Sequence, residues 1–145
     1  MFAKRPTSAV AKPGVAVRVF AARAIDAVVR QGRSVEDALA DDHPDTDQDE
    51  SLRRMLVYGG LRYYWVLRGQ MDVYLSKPLR RRDRAVEALI LLGLFQLQYS
   101  RIPQHAAVAA TVDACRELRY PKCTGLVNAI LRRALRDPAM PTTET

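Results

Sequence analysis

With 145 residues, 48% of them apolar, the chain is the size of one ordinary domain and can bury a core, which excludes intrinsic disorder over most of its length. Twenty-three Lys and Arg against sixteen Asp and Glu give a net charge of +7, a field that attracts RNA, DNA or an anionic membrane surface and that also keeps a small protein soluble. The longest apolar run, residues 88–95, is far short of the roughly 20 residues that span a bilayer, and the N-terminus lacks a continuous apolar h-region, so a cytoplasmic protein is expected.

The apolar spacing is helical almost throughout. Val15, Val19, Ala22, Ile25 and Val29 recur in steps of three and four, which predicts a first helix ending near Gly32, with Pro13 in its first turn. Ser34 opens Ser-Val-Glu-Asp, where the hydroxyl can accept from the amide of Asp37, so a short second helix runs to about Ala40. The acidic stretch DDHPDTDQDE reads as a surface loop that ends at an N-cap, Thr46.

A third helix of six or more turns carries Leu52, Met55, Leu56, Tyr63, Val66, Gln70 and Tyr74. Gly59 and Gly60 in its middle each cost about 1 kcal/mol relative to alanine, which points to close helix crossing, or else to a kink. Pro78 then breaks the chain into the basic loop SKPLRRRDR. The fourth helix, Arg84 to about Tyr99, is apolar nearly all round and is expected at the centre of the fold. Pro103 opens a fifth helix with Val108, Val112, Cys115 and Leu118 on one stripe. After Tyr120-Pro121 a sixth places Val127, Ile130, Leu131 and Ala134 inward. No segment alternates like a half-buried strand, so the sequence implies an all-α bundle of about six helices.

Three groups of cations stand out. Lys4, Arg5, Arg18 and Arg23 belong to the basic start of the chain, where Arg18 lies near the apolar stripe and either snorkels outward or joins an RNA-facing surface. Arg80, Arg81, Arg82 and Arg84 form the densest run, either a solvated loop or a set of phosphate contacts. Arg132, Arg133 and Arg136 end the last helix, where they complement its dipole and face RNA or a neighbouring domain. Tyr63, Tyr64 and Trp65 are expected to divide between core and helix packing, with base stacking as the alternative. Asn128, among apolar neighbours, is expected to tie to another segment's backbone. Cys115 reads as a packed thiol, whereas Cys123, near a helix start, could carry a lowered pKa. The spacing of the two cysteines and of His43 and His105 supports neither a metal site nor a disulfide.

RIPQHAAV from Arg101 and GLVNAILRR from Gly125, preceded by ALILLGLFQLQYSR from Ala88 and YGGLR from Tyr58, resemble the NusB-like N-terminal domain of the bacterial rRNA cytosine-C5 methyltransferases of the RsmB type. The resemblance covers roughly Val15 to Arg136 and implies the NusB-like all-α fold. It divides the chain into a flexible basic N-terminus (1–13), an RNA-binding helical domain (14–137) and a linker or truncated tail (138–145). It also implies 16S rRNA as partner and a C-terminal Rossmann-like domain that binds S-adenosylmethionine and uses a cysteine thiolate. Neither a glycine-rich cofactor turn nor a catalytic cysteine is legible here, so this chain is expected to hold no cofactor and to catalyse nothing by itself. Ala110 stands where the family tends to have Glu. Two other readings stay open: a free-standing NusB-like antitermination factor, which a stop codon after Thr145 would favour, and a module that docks the methyltransferase domain without touching RNA.

Overall fold

The computed structural model describes residues 14–44 and 46–138, in which every regular element is helical. The chain forms α1 (Val15–Gln31), α2 (Val35–Leu39), α3 (Asp47–Arg62), α4 (Tyr64–Tyr74), α5 (Ala85–Tyr99), α6 (Gln104–Glu117) and α7 (Thr124–Arg136). Two 3-10 turns, Arg81–Asp83 and Pro121–Cys123, precede α5 and α7.

Local chemistry places the helix ends. The Ser34 hydroxyl accepts from the amide of Asp37 at 3.1 Å, and the Thr46 hydroxyl accepts from the amide of Asp49 at 3.0 Å, each satisfying a donor the helix leaves open. Gly32 closes α1 in the left-handed conformation, φ +73°, which costs a residue without Cβ least. Pro103 sits just before α6 and its carbonyl accepts from Ala107 at 2.9 Å. Pro13 lies outside the described residues.

The expected long third helix is two helices, so the described fold has seven rather than about six. A single helix over residues 47–74 would be about 42 Å long, against about 22 Å for α5. Both α3 and α4 pack on α5, which one straight rod of that length cannot do. The break falls at Tyr63, φ −101° and ψ 17°, whose ring lies flat on Tyr99 of α5 with centroids 3.9 Å apart.

The α5 helix is the hub. Val86 and every residue from Ala88 to Gln96 are buried, and the helix packs against α1, α3, α4, α6 and α7. Gly59 of α3 faces it so closely that a Cβ would stand 2.2 Å from the Phe95 ring, while a Cβ on Gly60 would stand 2.8 Å from Ile25 of α1. The glycine pair therefore serves close crossing, and what enters the space is side chain rather than backbone. On the opposite flank Gly93 admits Leu131 of α7, 2.7 Å from where its Cβ would be.

Arg53 of α3 is 3% exposed and holds the acidic loop in place. Its guanidinium lies 4.5 Å above the Phe20 ring, donates to the carbonyls of Leu39 and Asp42, and pairs with Glu50 at 2.6 Å. Asn128 does not tie segments together. It is half-buried and accepts from Arg132 Nε at 3.1 Å, one turn along the same helix.

Candidate nucleic-acid interface

The expected cations divide sharply once burial is known. Arg18 is 5% exposed: its Nε donates to Gln96 Oε1 at 2.9 Å and its guanidinium to the Gly14 carbonyl at 2.9 Å. Gln96 in turn donates to Thr111 of α6 at 3.0 Å and to the Leu92 carbonyl at 3.1 Å. Burial lowers the pKa of Arg18 below the usual arginine value. Arg18 thus neither snorkels nor faces RNA; it is a polar tie between α1, α5 and α6. Lys4 and Arg5 lie outside the described residues.

Arg80, Arg81, Arg82 and Arg84 are all exposed. After α4 the chain turns extended at Leu75, and Leu79 packs against the core, anchoring the segment. The amides of Asp83 and Arg84 then donate to the carbonyls of Arg80 and Arg81 at 2.9 and 3.2 Å. These bonds close a 3-10 turn that holds the arginine heads in solvent. The expected basic loop is therefore a shaped turn at the mouth of α5.

Beside this turn a cleft of about 700 Å³ opens between residues 74–83 and 119–126. Lys77, Arg80, Arg82, Arg119 and Lys122 line it against one carboxylate, Asp83. Tyr74 and Tyr120 supply aromatic surface. Lys77, Arg119 and Lys122 were not legible as site residues, because nothing in the sequence says that the two connections meet. Arg119 adopts φ +70°, a left-handed conformation that is uncommon for a residue with a Cβ.

Of the α7 arginines, Arg133 joins this region: its guanidinium lies 5.1 Å from the Tyr74 ring centroid, and Tyr74 donates to the Asp137 carbonyl at 2.9 Å. Arg132 is exposed and turned to Asn128. Arg23 is exposed and borders a hollow with Ala85, the first residue of α5, and Leu118, where Asp41 and Asp42 also contribute. Trp65, expected to pack, is 81% exposed, its ring edge-on to Tyr64 at 5.0 Å.

Neither thiol is prepared for nucleophilic attack at neutral pH. Cys115 is buried, contacts the Tyr120 carbonyl at 3.4 Å, and burial pushes its pKa up to about 11. The pKa of Cys123 is raised rather than lowered, because the thiol is partly buried against the core and lies near the negative charge of Asp83. Among the described residues no group of three or more His, Cys, Asp or Glu is placed to hold a metal ion, and no helix is long and apolar enough to cross a membrane.

The family model described as NusB family matches residues 15–136. Proteins named ribosomal RNA small subunit methyltransferase B are similar to the chain: that of Xylella fastidiosa is 40% identical over 126 residues, that of Xanthomonas campestris 40% over 129, and that of Escherichia coli 37% over 118. These matches cover 86%, 88% and 81% of this chain but 29%, 30% and 28% of the relatives. The chain spans less than a third of the length of the relatives it matches.

Proposed function

As the chain belongs to the NusB family, we propose that it is the RNA-binding helical domain of an S-adenosylmethionine-dependent 16S rRNA cytosine-C5 methyltransferase, holding the RNA for a catalytic domain outside this chain. The observation that carries the reading is the arginine turn at residues 80–84 beside a cleft with five cations and one carboxylate. Such a surface suits a phosphate backbone, which positions an RNA without reading its sequence. The names of the relatives favour a methyltransferase over a free-standing antitermination factor. The raised pKa values of both cysteines agree with placing the attacking thiolate, and with it the cofactor, in the other domain. Its working partners are then the 16S rRNA and that methyltransferase domain, in the cytoplasm.

The RNA contacts assigned on this reading are Arg80, Arg81 and Arg82, with Lys77, Arg119 and Lys122 along the cleft, Arg133 against Tyr74, and Arg23 at the separate hollow beside Ala85 and Leu118. Arg132 is the cation most available to the neighbouring domain. Titration of 16S rRNA fragments at several salt concentrations tests the reading. Affinity is expected to fall steeply with salt, and replacing Arg80, Arg81 and Arg82 together by alanine should flatten the log–log slope by about 2. Salt-independent binding, or none at low salt, refutes it.

A further inference from the structure

Arg84, at the end of the arginine turn, also walls a smaller pocket of about 200 Å³ between α1, α4 and α5. Its floor is apolar: Ile25, Met71 and Leu91 are all buried. The wall is polar and of both signs, with the guanidiniums of Arg30, Arg68 and Arg84 facing the carboxylates of Asp26 and Glu87. Arg30 is gripped by Asp26 through two bonds of 2.6 and 2.9 Å, and it lies near Glu87 and Tyr120. Tyr120 lines the cationic cleft, so the two concavities are neighbours, with Arg84 walling one and Arg80 and Arg82 the other.

One feature of the wall and one beside it point to a ligand. Arg68 donates to the Tyr64 hydroxyl at 3.0 Å, but its Nε, although buried, makes no hydrogen bond and stands 3.8 Å from Asp72. The side chain as a whole is 39% exposed, and the loose ion pair with Asp72 leaves the Nε short of a close acceptor. Next to Tyr64 the Trp65 ring projects into solvent at 81% exposure, an arrangement that folding alone does not reward.

We propose that this pocket receives one unpaired base of the RNA whose backbone crosses the arginine turn. The inference rests on the RNA-binding reading and adds to it the class of RNA, single-stranded rather than duplex. An apolar floor suits the face of a nucleobase, and arginines together with carboxylates can bond the acceptors and the exocyclic donors on its edge. A base buried in a duplex cannot reach the pocket, whereas a loop or bulge presents it freely. Trp65 offers a stacking surface for the next base along the strand.

The test uses a 12-nucleotide single-stranded RNA of mixed sequence and the same strand annealed to its complement, with emission of Trp65, the sole tryptophan, as a second readout. Val29 stands at the pocket rim, 41% exposed, so Val29→Phe fills the space from outside the core. The single strand is expected to bind more tightly than the duplex and to quench Trp65. Val29→Phe should lower single-strand affinity about tenfold and leave duplex affinity unchanged. If Val29→Phe fails to fold, Val29→Met replaces it with the same expectation at smaller size. Equal losses for both probes, or single-strand binding and quenching unaffected by the variant, overturn the proposal while RNA binding stands, and leave the pocket to a protein side chain. Loss of salt-sensitive binding to both probes in the unmodified chain overturns the proposal together with the reading on which it rests.

Discussion

The Nε of Arg18 and the Oε1 of Gln96, 78 residues apart, meet at 2.9 Å in the buried middle of the bundle. Among the described residues both acceptors of this arginine, the Gln96 amide and the Gly14 carbonyl, are neutral, so dipoles hold its charge there. Removing one dipole leaves a buried cation short of an acceptor. Gln96→Leu is therefore expected to destabilise the fold by about 2–3 kcal/mol. Adding Arg18→Met should recover part of that loss, since an apolar pair of similar volume replaces the polar one. Urea unfolding of the single and double variants checks the order. RNA affinity of Arg18→Met should match the parent, unlike that of variants in the arginine turn.

The glycines inside helices separate into two classes with opposite expected effects. Gly59→Ala and Gly93→Ala drive a Cβ to within 2.2 Å of the Phe95 ring and 2.7 Å of Leu131 in the packed interior, and each should cost about 1–3 kcal/mol. Gly69 and Gly125 lie in α4 and α7 with nothing within 4 Å of a Cβ. Alanine at either site should raise stability by about 0.5–1 kcal/mol. Thermal melts of the four single variants distinguish the classes.

The two hydroxyl caps are independent of each other and of the cleft. Ser34→Ala and Thr46→Ala should each cost about 1 kcal/mol, and the double variant about the sum, because the caps share no partner. Denaturation midpoints report the loss, and RNA affinity should stay put.

The pH dependence at the alkaline end follows from Cys115. Its pKa is raised by burial from 9.0 to about 11 in the folded state, so the thiol ionises more readily in the unfolded chain. Stability from this group is fully present below about pH 9 and is lost as the pH rises towards 11, by about 2–3 kcal/mol at most. Urea unfolding at pH 8 and pH 11 should show a smaller drop for Cys115→Ala than for the parent. Equal drops would place the alkaline loss on other groups.

Much of the fold was legible because it is written locally. Ser34, Thr46 and Gly32 mark helix ends by chemistry that acts within three or four residues. The unbroken apolar character of residues 88–95 alone required α5 to be buried on every side, and the motifs around Tyr58, Arg101 and Gly125 indicated the family. The break at Tyr63 was not legible, because it depends on how much of α5 is available to pack against. What only the tertiary structure decided is which cations are free. Arg18, Arg53 and Arg80 look alike along the chain, yet Gln96, Leu39 and the ring of Phe20 bury the first two, while a 3-10 turn pinned by Leu79 holds the third in water. A charge is cheap or costly according to the dipoles and solvent that surround it, and those arrive from segments far away in sequence. The same holds for Lys77, Arg119 and Lys122, three scattered residues that become one cleft only when two distant connections fold to the same end of the bundle.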